Sequence, residues 1–503
     1  GLYPYLKSAN ASAPQAISGF AYSSGSTPAQ GAQVGVYVGG KLLTGGTAST
    51  GANGYYYELV RAGTVTGTTK LGEALTLAGA STVSGQIYTD WPTLTAGNLT
   101  GLNITSGVVS DVTNDTSLSN LNSSLAATFG SGYTAMASQL SSAATTINAR
   151  NAGGVNLNQA LTLGNNYTVT TSAGDITVSS PITWAGANTL TLDSYRNVSI
   201  LAPVTASGAG GVVIKTNDGG TGGDYSFGLT STGFTGSLNF TGTPNSGQSL
   251  NINGQAYTLV YSMAQLDAID GQNGVDGSAV TAYGPGFTGS YALANNLDAN
   301  GLAYKYSPVN LSVAGNATAY ANSVFEGLGH TVSNLTINTT STIPKITGSL
   351  TSKDSATGLF SMTAGGNAIR DIGVSGGNIS GNSYVGGVVG LNQEGATLKN
   401  VFSTATVFGS YRTGGLAGFS SATIVNAYAT GPVTGVSETG GLVGHLDYSG
   451  TTTNAFAMGA VTGQDYTGGL VGYSWWQPVS NVYSTGFVKG SGSNTGGLFG
   501  WIG

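Results

Sequence analysis

From Gly386 onward the hydrophobic and polar positions recur with a long, fixed period. Gly-Gly pairs stand at Gly386, Gly414, Gly440, Gly468 and Gly496, at spacings of 28, 26, 28 and 28 residues. A period in that range signals stacked structural repeats. Three ladders keep register within it. An asparagine recurs at Asn400, Asn426, Asn454 and Asn481, an aromatic two residues later at Phe402, Tyr428, Phe456 and Tyr483, and a valine five beyond that at Val407, Val433, Val461 and Val488. The stretch between Gly-Gly and Asn varies in length, whereas the Asn-x-aromatic-x4-Val block never does. Paired backbone tolerates no insertion, whereas a surface loop does. Strand alternation puts Asn426, Tyr428 and Thr430 on one face and Ala427 and Ala429 on the other. Several glycines and many β-branched residues per repeat exclude helix. Each repeat is predicted to form about one coil of a right-handed parallel β-solenoid, with equivalent side chains stacked ~4.8 Å apart. The glycines are expected at corners that need φ > 0.

The same kind of signal extends upstream. From Gly154, YTVTT, DITVSSPITW, TLTLDSYRNVSILAPVTA, GGVVIKT and SLNFTG read as period-2 strands, with Ile176, Val178, Leu190, Leu192, Val198, Ile200 and Val204 facing inward. Ser262–Asp270 has helical spacing at Met263, Leu266 and Ile269 and predicts one or two turns beside the solenoid. Thr357-Gly358-Leu359-Phe360 opens a degenerate repeat 29 residues before the first full one. Between Gln15 and Val60, short alternating strands (AISGFAY, AQVGVYV, YYYELV) are separated by Gly, Pro and Asn turns and predict an antiparallel sandwich. The resulting division is a lead over 1–13, a β-sandwich over 14–95, a linker or capping segment over 96–153, and solenoid over 154–503. Within the third segment, AMASQLSSAATTINA has the composition of a short helix.

The phrase GGLVG…NAYATGxVTG resembles the GLUG motif of bacterial surface proteins related to filamentous haemagglutinin, in four near-complete copies from about residue 357. The 154–250 strands are similar to the β-helix of the same proteins. Gly19, Pro28, Gly31-Ala32, Thr47 and Gly54-Tyr55 resemble the Ig-like, transthyretin-like modules of bacterial surface proteins. The resemblance implies an extracellular β-helical stalk from a Gram-negative bacterium. It implies no catalytic residue.

Composition narrows the function. Charged residues are 7% of the 503, against ~25% in an average soluble protein, so solubility rests on hydroxyl and amide groups. With 26 Tyr and abundant Val, Ile and Leu the chain is not of the disordered class, despite 83 Gly. A net charge of −6 without a basic patch argues against nucleic acid. The absence of Cys removes disulfides, zinc-thiolate sites and Cys nucleophiles. No apolar run reaches the ~20 residues of a membrane span. With no initiator Met and no signal peptide, Gly1 reads as a processing site or an artificial boundary.

An enzyme needs convergent ionisable groups, and they are sparse. His330 lies in GLGHTV and reads as structural; His445 is expected in a variable loop. Glu394, Glu438, Asp447 and Asp465 are expected as solvated loop or turn groups. Asp218 and Asp224 flank a Gly-rich run with the oxygen ligands for Ca2+, yet without a nonapeptide repeat the reading is a plain turn. Trp475 and Trp476 are the anomaly, a paired aromatic in the loop after Gly-Gly; the pair either folds back over the solenoid or a neighbouring loop, or is the candidate contact for a sugar ring or a protein. No cofactor or metal is expected.

These readings converge on a non-enzymatic, secreted or cell-surface structural protein, an adhesin stalk or filament subunit. Its expected partners are other copies of itself, a glycan, or a host or abiotic surface. The alternative is a β-helical enzyme that binds or cleaves polysaccharide. The apolar coil edge at Leu498, Phe499, Trp501 and Ile502 is expected either to continue into more chain of a longer parent protein or to dock head-to-tail on another copy, met by the apolar lead at Leu2, Tyr3, Tyr5 and Leu6.

Overall fold

The computed structural model describes residues 14–24, 27–38, 41–65, 71–80, 85–89, 98–106, 108–111, 145–149, 154–157, 160–164, 166–171, 173–283, 289–309, 323–339 and 356–503. The lead with Leu2, Tyr3, Tyr5 and Leu6 lies outside them. The chain forms two compact units, one running to Tyr225 with Ser246–Gly254 added, the other comprising Ser226–Asn245 and Gln255–Gly503.

The first unit begins with antiparallel strands. Gln15–Ser24 pairs with Tyr55–Val60, Gln33–Val38 with both Lys41–Ser49 and Leu71–Thr76, and Leu71–Thr76 with Gly85–Thr89. Alternation decides what each strand buries: of the three consecutive tyrosines only Tyr56 is inside, while Tyr55 and Tyr57 stay exposed. The core there is Ile17, Val34, Val36, Tyr56, Leu71 and Leu75. It also takes in a carboxyl group. Glu73 is fully buried and hydrogen-bonded to the Tyr56 hydroxyl, whose oxygen also lies 2.5 Å from Leu102 O. Burial pushes the Glu73 carboxyl up to about 8 against the opposing Tyr56 hydrogen bond, so it is a neutral acid at pH 7.

Parallel pairing follows in the same unit. Thr145–Ala149 joins Val108–Asp111 on one side and Tyr167–Thr171 on the other. The end of the stretch expected as a helix is therefore a strand, as its run of Thr145, Thr146 and Ile147 favours; 135–144 lies outside the described residues. Coils of three short strands come next. Val155–Leu157, Ile176–Val178 and Val198–Ile200 stack in one sheet, and Ile182–Trp184 and Pro203–Ala206 in a second. Tyr167–Thr171, Thr189–Asp193, Gly211–Lys215 and Ser249–Ile252 form a third. Ile176, Val178, Leu190, Leu192, Val198, Ile200 and Val204 are all buried, as their alternation predicts.

In the second unit the short helix Met263–Asp267 is capped by the Ser262 side chain, which accepts from Gln265 N, and continues as a 3-10 turn through Asp270. Met263, Leu266 and Ile269 all enter the core. From Phe360 to Gly490 each coil is four strands. Using the coil that starts at Tyr411, these are Tyr411–Gly414, Ala417–Ser420, Thr423–Ala429 and Val433–Thr434, each hydrogen-bonded in parallel to its equivalent above and below. Phe360 pairs with Val389, so the degenerate repeat at Thr357 is a true coil.

Gly365, Gly366, Gly376, Gly377 and Gly395 take positive φ as expected, but the repeated Gly-Gly pairs act differently. None of Gly386, Gly414, Gly440 and Gly468 has positive φ. A Cβ at Gly414 would instead run into the carbonyl oxygen of Ala417, and one at Gly415 into that of Gly441 in the next coil. They are glycines because backbone passes too close for any side chain. The left-handed corners fall to other residues: Asn400, Asn426, Asn454 and Asn481 at φ 52 to 54, and Tyr384, Arg412, Glu438 and Tyr466 at φ 47 to 52. Because the strand kinks at Asn426, the next residue pairs in phase again: Val425 matches Lys399 and Ala427 matches Val401. Ile424, Ala427 and Ala429 thus all point into the core.

Candidate functional site

The asparagine corners build one wall of a cleft in the second unit. Asn is the non-glycine residue best suited to the left-handed region, and the kink turns its side chain along the stacking axis. Nδ2 of Asn481 donates to Oδ1 of Asn454 over 3.1 Å, Asn454 to Asn426 over 3.0 Å, and Asn426 to Asn400 over 3.0 Å. The chain of amides ends on a carboxylate: Asn400 donates to Asp371 Oδ1 over 2.8 Å. Asp371 is fully buried and its other oxygen takes the Arg370 guanidinium at 2.8 Å, which also pairs with buried Glu326. Each amide rung uses one N–H and one lone pair, leaving one of each free to turn outward.

Two residues on, the aromatic ladder forms the floor. Phe402, Tyr428, Phe456 and Tyr483 stack with centroids 4.9 to 5.0 Å apart and planes within 9°. The second wall is a hairpin that sequence reading passed over. Leu229–Thr230 and Gly233–Phe234 pair antiparallel around Ser231-Thr232, and Thr230 Oγ1 donates to Gly233 O over 2.8 Å to brace the turn. Phe234 packs on Phe402 at 5.7 Å. The Tyr428 phenol meets the backbone of Gly233, and burial pushes it up to about 12. The hairpin covers the first two rings only. Phe402 and Tyr428 are buried, Phe456 is half-buried, and Tyr483 is 49% exposed. Between hairpin and amides is a cleft of about 400 Å³, lined by Ser226, Leu229, Thr230, Ser231, Asn426, Asn454, Tyr428 and Phe456 among others. None of its lining side chains is ionisable at neutral pH except the phenol, which is protonated there. The signal in the sequence was GLTSTGF, a two-residue turn flanked by Leu and Phe with Gly behind it.

The ionisable groups elsewhere correct two expectations. His445 is on a strand, Val443–Leu446, and not in a loop; it is buried between the rings of Phe419 and Tyr473, 5.2 and 4.8 Å away. Glu438 is likewise buried rather than solvated. It accepts from His445 Nδ1 over 2.7 Å and from Arg412 Nε over 2.8 Å. Burial pushes the Glu438 carboxyl up, but the His445 hydrogen bond and the Arg412 charge outweigh it and hold it below its ordinary value. Arg412 lies 4.9 to 5.3 Å from the ring centroids of Tyr384, Tyr411 and Phe419. Glu394 is exposed, and Asp447 and Asp465 are half-exposed. His330 is buried, with Nε2 2.9 Å from Leu238 O and Nδ1 3.2 Å from Asn296 Oδ1; burial lowers it to about 4. The Gly-rich loop between Asp218 and Asp224 is closed by Asn217, which exchanges two hydrogen bonds with Gly223. Among the described residues no group of three His, Cys, Asp or Glu could hold a metal ion.

The tryptophan pair divides. Trp475 leans on the ladder of Tyr473 and Trp501, its centroid 6.3 and 5.8 Å from theirs, while Trp476 is 72% exposed with φ 55. Leu498 and Phe499 pack on the core, Trp501 stacks on Tyr473 at 4.3 Å, and Ile502 is exposed. No helix among the described residues is long and apolar enough to cross a membrane. Compared with known proteins, residues 381–407 match the GLUG motif. No curated protein and no solved structure matches the chain.

Proposed function

We propose that this chain is a non-enzymatic structural protein of the bacterial surface or extracellular space, an adhesin stalk or filament subunit of the filamentous-haemagglutinin kind. The observation that carries this reading is where the charged side chains go. Glu438 is held by Arg412 and His445 under aromatic cover, and Arg370 is shared between Glu326 and Asp371 beneath the amide ladder. Neither cluster presents an acid and a base to an open surface, which hydrolysis or elimination would require. The coils repeat side chains whose partners are their own copies, a design for length and stiffness. In this reading residues 14–95 are an Ig-like module, residues 154–503 wind as a right-handed solenoid, and Trp475 and Trp476 are a surface contact.

Self-association belongs to the same proposal. A parallel coil offers unpaired backbone at its edge, and the apolar lead Leu2-Tyr3-Pro4-Tyr5-Leu6 suits strand addition there. Immuno-electron microscopy of producing cells, with antibody to the repeats, tests the placement: label on the outer surface or on extracellular fibres is expected, and label confined to the cytoplasm overturns it. Light scattering of the chain with and without residues 1–13 tests the connector; equal polymerisation of both removes the lead from that role.

A further inference from the structure

We infer that the cleft between the Leu229–Phe234 hairpin and the asparagine ladder is a binding site for a neutral, extended glycan chain. The inference deepens the non-enzymatic surface reading and rests on it, naming the class of ligand that such a surface would hold.

The chemistry of the cleft selects the ligand. Its floor is Tyr428 and Phe456, and its walls carry the carboxamides of Asn426 and Asn454 and the hydroxyls of Ser226, Thr230 and Ser231. Carboxamides bring a donor and an acceptor together on one group, matching vicinal sugar hydroxyls, which are also both. Phe456, half-buried and stacked by its faces on Tyr428 and Tyr483, offers an apolar ring edge beside the polar wall, which matches a pyranose with its C–H face and polar rim. No Lys or Arg lines the cleft, so uronic acids, phosphates and nucleic acids gain no counter-charge there. A volume of about 400 Å³ accommodates a short oligosaccharide segment.

Periodicity gives the second argument. Hairpin coverage stops after Tyr428, so the floor and the amide rail run on from Phe456 and Asn454 in the cleft to Tyr483 and Asn481 past it, at an interval of 4.9 Å between rings. That interval is close to the rise per sugar of an extended β-linked polysaccharide. One glycan lying along the axis therefore keeps pace with the ladder, its successive residues presenting alternate faces to equivalent amides and rings. The amides are already ordered by their mutual bonds and by the Asp371 carboxylate, so binding does not have to freeze them. The hairpin fixes one end of the track as an enclosed subsite.

The test measures binding of cellohexaose and N-acetylchitohexaose, with polygalacturonate as the acidic comparison, by calorimetry on the whole chain. Asn454→Gly removes an amide while keeping a residue at ease with positive φ, and Leu229→Ala thins the opposite wall; thermal melts check that both fold. Tyr448→Ala, an exposed ring that does not line the cleft, serves as the control, and Trp476→Ala tests the tryptophan pair as the rival site. A neutral oligosaccharide is expected to bind, with Kd rising at least about tenfold in Asn454→Gly and severalfold in Leu229→Ala and unchanged in Tyr448→Ala. Absence of neutral oligosaccharide binding at millimolar concentration overturns the inference, and so does tighter binding of polygalacturonate. A loss confined to Trp476→Ala moves the glycan to the tryptophan pair and equally overturns it. Release of reducing ends from the bound oligosaccharide would leave the cleft assignment standing and defeat the non-enzymatic reading instead.

Discussion

Asn400 Nδ2 donates to the buried Asp371 carboxylate over 2.8 Å, and that bond anchors a chain of amides running through the three asparagines that follow. Donation to an anion makes the Asn400 carbonyl a better acceptor, and each rung strengthens the next. Asparagine therefore meets two requirements at one position, a left-handed backbone and an axial hydrogen bond.

Those two requirements separate by mutation. Asn426→Gly loses the rungs to Asn400 and from Asn454 but keeps the backbone at ease, and should cost about 1–2 kcal/mol. Asn426→Ala loses the same rungs and adds left-handed strain of ~1–2 kcal/mol, for a total of about 2–4 kcal/mol. Denaturant unfolding of the two variants measures the difference; an alanine variant as stable as the glycine variant would show that φ is not what selects Asn.

Close backbone approach makes a contrary prediction for the repeat glycines. Gly414→Ala introduces a Cβ into the carbonyl of Ala417, with no relief from a flexible side chain. A loss of at least about 3 kcal/mol is expected, at the severe end of single substitutions. Gly51→Ala, whose Cβ would meet nothing nearer than 3.4 Å, should be tolerated. Similar melting temperatures for the two would contradict this account.

Much of this architecture was readable because ladders leave a periodic trace. The spacing of Asn400, Asn426, Asn454 and Asn481, the inward alternation of Ile176 through Val204, and the Ser262 cap each reflect a local rule. What was not readable depended on chain distant in sequence. The Leu229–Phe234 hairpin appears once, so no period announces it, and its contact with Phe402 and Tyr428 spans more than 160 residues. Glu438 and His445 looked like loop residues because each coil carries a different side chain there, and only stacking brings Arg412 beside them. The role of the Gly-Gly pairs was misread because left-handed φ and steric exclusion select the same residue.

Two buried titrating groups give the two units opposite pH dependences. In the second unit, His330 titrates at about 4 when folded and at 6.5 when unfolded. Between those values the unfolded chain binds the extra proton, so stability falls as pH drops from 6.5 to 4, by up to ~1.4 kcal/mol per pH unit. In the first unit, Glu73 titrates at about 8 when folded against 4.5 unfolded. Here the folded form holds the extra proton, so stability is greatest below 4.5 and falls as pH rises to 8. Melts recorded from pH 4.5 to 8 should flatten for the first unit in Glu73→Gln and for the second in His330→Gln. Retention of either slope in its variant would assign the titration elsewhere.

Tyr428 joins the ladder to the hairpin and tests whether that roof depends on it. Its ring lies between Phe402 and Phe456, 5.0 and 4.9 Å away, and its phenol meets Gly233 at the hairpin turn. Tyr428→Ala leaves a void in a buried stack and should cost ~3–5 kcal/mol. Tyr428→Phe keeps the stack and loses only the polar contact, for about 1 kcal/mol. Stacked repeats couple mainly to their neighbours, so damage from the alanine variant should stay near the coils that bear Phe402, Tyr428 and Phe456. The phenylalanine variant should leave those coils protected and release the 229–234 hairpin alone. Hydrogen exchange resolves the two patterns. Uniform loss of protection across the second unit in Tyr428→Ala would refute nearest-neighbour coupling, and an unchanged hairpin in Tyr428→Phe would show that Phe234 on Phe402 suffices to hold it.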